Sequence, residues 1–301
     1  MGWAVCNCCT KAKGRINPMK IALTGASGFL GRHVLKELLS QEIELVAVTR
    51  NATHLADFKE RIHIVEMDIS NPQIDYYQQM GCPDVLIHLA WDGLPNYKGL
   101  HHFETELPRQ YHFLSSMIKS GLSSLMVTGT CFEYGMQSGS LWEGMPTRPS
   151  NPYGYAKNAL RQQLEFLQSV DDFSLTWARL FYMYGEGQSE NSLFTKLNEA
   201  VLRQDTRFDM SGGEQLRDYL PVKEVARLLV QLAIAQQGIG VINVCSGTPI
   251  SVRKLVEQLI LENNWKIHLN LGCYPYPDYE SMEFWGNRQL LDKVMEKNEL
   301  S

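Results

Sequence analysis

The stretch Lys20-Ile-Ala-Leu-Thr-Gly-Ala-Ser-Gly-Phe-Leu-Gly31 decides the fold of this chain. Its first five residues form an apolar run of strand length, and residues 29–39 repeat apolar side chains at the spacing of one helix face. A strand, a glycine turn and a helix in this order form the setting in which backbone amides bind the diphosphate of a dinucleotide. A tight turn without a ligand is the alternative, because this glycine spacing is common by chance.

Each glycine of this loop has a separate expected role. Gly25 would permit the turn, Gly28 would let the backbone approach the diphosphate, and Gly31 would let the helix pack closely on the sheet. The loop therefore predicts a dinucleotide-binding domain at the start of the chain.

Further along the chain, apolar runs alternate with helical stretches. Strands are expected at residues 43–49, 61–66, 84–89, 125–129 and 175–180, and helices at 104–120 and 152–168. This alternation predicts an α/β fold of the Rossmann type, a doubly wound parallel sheet with helices on both faces.

The pattern loosens after residue 187, which predicts a smaller C-terminal substrate lobe. Helices are expected there at residues 193–203, 222–236 and 252–262, a strand at 241–245 and a loop at 274–285. We therefore expect a cofactor domain at residues 19–185 and a substrate lobe at 186–301, with 215–245 returning to the first domain. Residues 1–18 are interpreted as a disordered extension or a misassigned start, because the sequence pattern of the predicted fold begins at Met19.

Composition excludes several classes of protein. The chain has 301 residues, 20% of them charged, and a formal net charge of -5. Without a run of lysines or arginines, nucleic acid is not an expected partner. No apolar run approaches the roughly 18 residues of a membrane span, so no membrane partner is expected either. The 7 cysteines are odd in number and scattered, which suits reduced thiols in the cytoplasm. A homodimer remains an alternative to a monomer.

Tyr153 and Lys157 lie in the stretch Asn151-Pro-Tyr-Gly-Tyr-Ala-Lys157. Positions four apart share one face of a helix, so a phenol and an ammonium would lie side by side. The cation would stabilise phenolate and lower the pKa of Tyr153 toward neutrality, which suits proton transfer at a carbonyl. A partly buried aromatic and a solvated lysine are the alternative interpretation.

Together with Arg217-Asp-Tyr-Leu-Pro-Val222, these motifs resemble the extended short-chain dehydrogenase/reductases, in the expected order over about residues 19–290. This family holds nucleotide-sugar epimerases, dehydratases and 4-keto reductases. The resemblance implies that Tyr153 is the proton donor, that Lys157 binds the nicotinamide ribose, and that Thr130 bonds the substrate oxygen. It also implies a set of cofactor-binding residues: Gly25, Ser27, Gly28, Phe29, Leu30, Gly31, Arg50, Asp68, Ile69, Leu89, Ala90 and Lys157.

The end of the second strand bears on the choice of cofactor. An NAD site places a carboxylate there for the ribose hydroxyl, whereas an NADP site uses arginine. Here the strand ends Val48-Thr49-Arg50, and Arg50 can pair with the 2′-phosphate through its fork of donors. NADPH is therefore the expected cofactor and NAD the less favoured one.

The stretch Thr130-Cys-Phe-Glu-Tyr-Gly135 bears on the reaction. In the related 4,6-dehydratases an Asp-Glu pair follows the threonine and supplies acid and base for loss of water. Cys131 and Phe132 stand in those places and cannot do this proton work, so dehydration is disfavoured. Glu133 falls one residue later and should point elsewhere.

The resemblance assigns the substrate to Thr130, Tyr153, Arg217 and Tyr182. Arg217 would bind the diphosphate of a nucleotide sugar, and an ion pair with Asp218 or Glu214 is the alternative. Tyr182 stands where many relatives carry asparagine.

No metal is expected, although His101, His102, His112 and Glu104 lie close in sequence, because their spacing fits no ligand set on a helix.

The sequence thus predicts an NADPH-dependent reductase of a nucleoside-diphosphate 4-keto-6-deoxyhexose, serving deoxysugar and surface-polysaccharide precursors. The first alternative is a nucleotide-sugar 4-epimerase that retains NAD. The second, from another class, is a non-catalytic regulator that senses NADP, for which the Tyr153, Lys157 and Thr130 set would have no use.

Overall fold

A computed structural model describes residues 18–71, 75–276 and 278–299. The strands are β1 (Lys20–Thr24), β2 (Glu44–Thr49), β3 (His63–Glu66), β4 (Val85–His88), β5 (Ser124–Thr130), β6 (Gly139–Leu141), β7 (Ser174–Leu180), β8 (Tyr182–Tyr184), β9 (Arg207–Asp209), β10 (Leu216–Pro221), β11 (Gly240–Val244), β12 (Pro249–Ser251), β13 (His268–Asn270) and β14 (Phe284–Gly286). The helices are α1 (Phe29–Leu38), α2 (Tyr76–Gln79), α3 (Leu107–Lys119), α4 (Pro152–Leu167), α5 (Leu193–Leu202), α6 (Val222–Ile234), α7 (Val252–Glu262) and α8 (Gln289–Glu299). Short turns of other helical pitch lie at Ala52–Phe58, His102–Glu106 and Cys131–Tyr134.

The central sheet has seven strands in the order β11-β7-β5-β4-β1-β2-β3, and every neighbouring pair is parallel. The predicted doubly wound α/β fold is confirmed. The chain runs outward in one direction from β1 to β3 and in the other from β4 to β11. In such sheets ligands bind at the carboxyl ends of the strands, beside the point where the strand order reverses.

Strand β1 shows how both faces of the sheet become covered. Ile21 and Leu23 point into the apolar core that contains α1 and α6. Ala22 points the other way, into the core that contains α3 and α4. This alternation follows from the period of two in a strand, and burial on both faces explains why the strands read as continuous apolar runs.

The C-terminal half contributes to this sheet and also forms a core of its own. Strand β11 pairs with β7 at the sheet edge. A separate apolar cluster joins α5, α7 and β9 through Leu197, Val256 and Phe208. The division of the chain at residue 185 stays a prediction, and the expectation for residues 1–17 lies outside the described residues.

Two features of the tail were not expected. Helix α8 was not predicted, and the expected loop at 274–285 ends in β14, which pairs with β6. Within the described ranges, no helix is both long and apolar enough to cross a membrane.

Candidate active site

The glycine turn between β1 and α1 leaves no room for a side chain at Gly25 or Gly31. Gly25 has a φ of 72°, and a Cβ there would lie 2.8 Å from the Ala90 amide nitrogen. A Cβ on Gly31 would lie 2.0 Å from the Gly25 carbonyl oxygen. Gly28 precedes the first turn of α1, with its amide bonded to the Gly25 carbonyl at 3.0 Å. Gly25 thus lies against the residues that follow β4, and the first turn of α1 packs on Gly25.

A cavity of about 430 Å³ opens where this turn meets the carboxyl ends of β1, β2 and β4. The predicted cofactor residues that line it are Gly25, Ser27, Gly28, Arg50, Asp68, Ile69, Leu89 and Ala90. Hydrogen bonds from the backbone and side chain of Ser70 lower the pKa of Asp68, which keeps this carboxylate ionised. Backbone amides at a helix start beside a polar cavity fit a dinucleotide diphosphate.

Four predicted cofactor residues lie outside this lining. Phe29 packs its ring edge on His33, Leu30 packs against the core, Gly31 lies behind the turn, and Lys157 lies over the Trp91 ring. The prediction missed several that line it: Trp91, Asp92, Glu106, Arg109 and Gln110. The available signal was position, since Trp91 and Asp92 directly follow the end of β4.

Arg50 does extend from the end of β2 beside this cavity, but it already has a partner. Its two terminal nitrogens contact the two oxygens of Asp92 at 2.8 and 3.0 Å. Both side chains are more than half exposed. Because β1 lies between β2 and β4 in the sheet, this bidentate ion pair bridges two strand ends across the carboxyl end of β1.

A buried polar chain runs behind the cavity. The Thr24 hydroxyl lies 2.8 Å from His88 Nδ1, and His88 Nε2 lies 2.7 Å from Gln110 Oε1. The Gln110 amide donates to Glu106, which also accepts from the Asp92 backbone amide. Burial lowers the pKa of His88 to about 3, so the ring is neutral and donates from Nε2 to the amide oxygen.

Helix α4 presents Tyr153 and Lys157 at its first turns. The Asn151 side chain caps the helix by accepting from the Gly154 amide at 2.8 Å. Tyr153 is 8% exposed and Lys157 is 2% exposed. The Lys157 ammonium donates to the Thr128 carbonyl at 2.9 Å and lies 4.1 Å from the centre of the Trp91 ring. Both side chains are therefore held inside the protein.

Burial dominates the protonation of this couple. It lowers the pKa of Lys157 to about 7, although the Glu133 and Glu106 carboxylates oppose the shift. It raises the pKa of Tyr153, although the nearby Thr130 side chain acts in the opposite direction. The expected lowering of the Tyr153 pKa is thus not seen. The physical reason is that desolvation by burial dominates, while the Lys157 ammonium is bonded to the Thr128 carbonyl.

Four rings enclose Tyr153. Trp91, Tyr97, His102 and Phe132 have centroids between 5.2 and 6.4 Å from its own. The Tyr153 amide also donates to the Tyr97 carbonyl at 3.2 Å. This enclosure is apolar on most sides, which is why the phenol is so strongly desolvated.

Thr130 ends β5 and is positioned by a carboxylate that sequence reasoning set aside. Glu133 is fully buried and accepts from the Thr130 amide at 3.0 Å, from Trp177 Nε1 at 2.9 Å and from Arg179 Nε at 2.7 Å. The expectation that Glu133 points elsewhere matches this geometry. Its oxygens are committed to holding the end of β5.

Arg217 and Tyr182 converge, as expected for a substrate site, but on an unexpected partner. Both donate to the carboxylate of Glu280. The alternative partners considered for Arg217 are engaged elsewhere. Asp218 accepts from three backbone amides, and Glu214 accepts from the Tyr276 hydroxyl.

The histidine-rich stretch does not collect into a metal site. His102 is bonded on one nitrogen by Trp91 and on the other to the Asn96 carbonyl. Within the described part of the chain, no three His, Cys, Asp or Glu side chains are arranged to hold a metal ion.

The sequence over residues 21–245 matches the NAD dependent epimerase/dehydratase family. The chain belongs to this family. The match spans the glycine turn, the Tyr153 couple and Arg217, and it confirms the resemblance to extended short-chain dehydrogenase/reductases. The protein is accordingly a nicotinamide-dependent enzyme of the oxidoreductase type, and the regulator alternative loses its support.

Individual relatives agree with this assignment. The chain is 33% identical over 273 residues to a dTDP-6-deoxy-L-talose 4-dehydrogenase (NAD(+)) of Aggregatibacter actinomycetemcomitans, covering 89% of this chain and 99% of that protein. It is 25% identical to a GDP-6-deoxy-D-talose 4-dehydrogenase of the same organism, covering 80% and 79%. In fold it is similar to a UDP-N-acetylglucosamine 4-epimerase from Methanobrevibacter ruminantium M1, with a TM-score of 0.81, 20% identity and coverage of 93% and 92%.

The buried neutral His88 should make this family member sensitive to acid. Its pKa is about 3 in the folded protein and about 6.5 when unfolded, so the unfolded chain binds more protons between these values. Stability should fall as pH is lowered through this window, by about 2 kcal/mol from pH 6.5 to 4.5. His88→Gln should remove that part of the pH dependence in urea unfolding, and exposed His54→Gln should not. Equal pH slopes for wild type and His88→Gln would contradict the assignment.

Glu133→Gln should destabilise the protein strongly, since it leaves the buried Arg179 without its carboxylate. Loss of one member of a buried ion pair typically costs about 3–5 kcal/mol. Glu257→Gln is the matched control, because it breaks an exposed ion pair with Arg253 that should contribute under about 1 kcal/mol. Thermal and urea unfolding measure both, and similar losses in the two variants would show that Glu133 has no special structural role.

Proposed function

We propose that the protein transfers hydride at C4 of a nucleoside-diphosphate 6-deoxyhexose and works as a reductase of the 4-ketone. The observation that carries this proposal is the burial of Tyr153 and Lys157 side by side on α4, close to Thr130 at the carboxyl end of β5. The relative named as a dTDP-6-deoxy-L-talose 4-dehydrogenase supports the sugar class and the reacting carbon. Ketone reduction is the reverse direction of the reaction in that name.

The chain's own residues supply the proton chemistry. A nicotinamide cofactor held beside the glycine turn would supply the hydride for the carbonyl carbon. Tyr153 donates its proton to the oxygen on which charge develops, and the Thr130 hydroxyl orients that oxygen. Because burial raises the pKa of Tyr153, the phenol stays protonated at neutral pH and can act as the donor. Lys157 stabilises the phenolate that remains, and the surrounding rings exclude water, which strengthens each of these interactions.

The residues beside Thr130 argue against loss of water as the reaction. Burial raises the pKa of the Cys131 thiol, so it is a poor base. Phe132 has no titratable group, and the Glu133 oxygens are engaged by three donors. The described residues around Thr130 therefore lack the acid and base pair that a 4,6-dehydratase would need.

Two observations favour different cofactors. The name of the 33% identical relative supports NAD(H), whereas an arginine at the end of β2 supports NADP(H). Asp92 occupies both terminal nitrogens of Arg50, so a 2′-phosphate has to displace a carboxylate. That pair is exposed and so contributes little. We infer that the enzyme binds both cofactors, with a preference for NADPH that Asp92 limits.

The function is tested with a panel of nucleoside-diphosphate 4-keto-6-deoxyhexoses, with NADH and NADPH each offered as reductant. Wild type should oxidise the cofactor and form a C4 alcohol, identified by NMR. Tyr153→Phe should lower turnover by about 10²–10⁴, the usual contribution of a positioned general acid. Tyr155→Phe, two residues away and 54% exposed, makes the same chemical change and should leave turnover unaltered.

Three results would count against this reading. A Tyr153→Phe variant with near wild-type turnover would place the proton source elsewhere. Conversion of a 4-hydroxy hexose into its C4 epimer without net cofactor oxidation would favour a 4-epimerase. Formation of a 4-keto-6-deoxy sugar from a 4-hydroxy hexose would mean that the interpretation of residues 130–135 is wrong.

Asp92→Asn should tighten NADPH binding about two- to fivefold, the range that corresponds to losing an exposed ion pair that competes for Arg50. NADH binding should change less, because NADH has no 2′-phosphate to pair with Arg50. Arg50→Asp should weaken NADPH much more than NADH. Fluorescence titration measures both cofactors without substrate.

Asp57→Asn provides a control for this cofactor experiment, since it removes a surface carboxylate outside the cavity lining. Unchanged NADPH affinity in both Asp92→Asn and Arg50→Asp would show that Arg50 does not bind the 2′-phosphate.

A further inference from the structure

A buried carboxylate pairs with Arg217, the residue predicted to bind the diphosphate of the substrate. Arg217 Nε and Nη2 contact Glu280 Oε2 at 2.9 and 2.8 Å, and the Tyr182 hydroxyl donates to the same oxygen. The side chains of Arg217 and Glu280 are only 4% and 8% exposed. Three donors, two from Arg217 and one from Tyr182, thus meet one shielded carboxylate oxygen.

The rest of the Arg217 guanidinium is also engaged. Its Nη1 donates to the carbonyls of Leu216 at 2.8 Å and of Met282 at 3.2 Å. The edge formed by Nε and Nη2 is the one that could grip a diphosphate with two parallel hydrogen bonds. While Glu280 holds that edge, an incoming anion cannot bind Arg217 in this way. Binding therefore requires that Glu280 leave.

The chain on the N-terminal side of Glu280 is held by few polar contacts. Residues 278–280 lie outside the helices and strands. Asp278 forms an ion pair with Lys98 at 3.0 Å, with the two side chains 81% and 62% exposed. The Tyr279 carbonyl accepts one bond, from Ser150 at 3.2 Å. The Tyr279 ring packs on those of Tyr97 and Phe132. The exposed pair contributes little, so the carboxylate itself is retained mainly by its donors Arg217 and Tyr182.

We propose that Glu280 determines which ligands reach Arg217, as an internal competitor that only a diphosphate displaces. This inference rests on the proposed function and specifies how the substrate is selected. A diphosphate brings more negative charge and more acceptor oxygens than a carboxylate, so it can replace Glu280 on Arg217 and Tyr182. A nucleoside without phosphates offers nothing to exchange and does not use this contact.

Glu280→Gln tests the competition directly, because the amide keeps the shape of the side chain and removes its charge. Binding of thymidine diphosphate, measured by calorimetry, should tighten about tenfold or more, as for a site that was free in about a tenth of the molecules. Binding of thymidine, which has no phosphate, should stay within about twofold. Weaker or unchanged thymidine diphosphate binding by Glu280→Gln would overturn the proposal.

Two further variants separate displacement from a general loosening. Asp278→Asn breaks the exposed tie to Lys98 and leaves Arg217 paired, so thymidine diphosphate affinity should not change. Arg217→Gln combined with Glu280→Gln replaces the ion pair with two amides, and the gain of the single variant should vanish. If thymidine gains as much as thymidine diphosphate, or if the double variant keeps the gain, the carboxylate does not act through Arg217.

The same measurements distinguish this inference from the proposed function. Wild type that binds thymidine diphosphate and reduces a 4-keto sugar, with no gain in Glu280→Gln, overturns the role of Glu280 alone. Protein that binds thymidine diphosphate with the predicted gain but reduces no 4-keto sugar overturns the reaction and keeps the role of Glu280. Absence of thymidine diphosphate binding in every variant overturns both.

Discussion

The carboxylate of Glu133 ties the active site to the sheet. It is completely buried and accepts hydrogen bonds from the Thr130 amide, from Trp177 and from Arg179. A carboxylate so far from water is tolerated only when it is paired and its oxygens are bonded. The donors come from the end of β5 and from β7, so both strand positions have to be correct at once. This requirement fixes the end of β5, where Thr130 stands near the phenol of Tyr153.

Burial at this edge has two opposing chemical consequences. It keeps His88 neutral and Tyr153 protonated, which suits a proton donor in an enclosed space. It also brings the pKa of Lys157 to about 7, although an ammonium is what would stabilise the phenolate. The Trp91 ring and the Thr128 carbonyl stabilise the charged form in part. With a pKa of about 7, Lys157 is close to the midpoint of its titration near neutral pH.

Features that depend on local pattern could be predicted from the sequence, and features that depend on distant contacts could not. The strand, glycine turn and helix at the start have the predicted bounds within one residue, because periodicity is local. Helix α8 was missed although Leu290, Leu291 and Val294 carry a helical apolar spacing. The direction of the Tyr153 pKa was wrong because desolvation depends on rings from three segments. Glu280 lies 63 residues beyond Arg217, and no spacing rule connects them.

Two arginines that the sequence marked for anions are both paired with carboxylates, and their surroundings give the pairs different consequences. The Arg50 pair with Asp92 is open to solvent, so water screens it and a phosphate can replace the carboxylate at small cost. The Arg217 pair with Glu280 is shielded, so its attraction is stronger and removing one partner leaves a charge without compensation. Only a ligand that brings its own charge can open the second pair. If Arg50 binds the cofactor and Arg217 the substrate, as proposed, the first contact should tolerate ligands with or without a phosphate, whereas the second should demand a diphosphate.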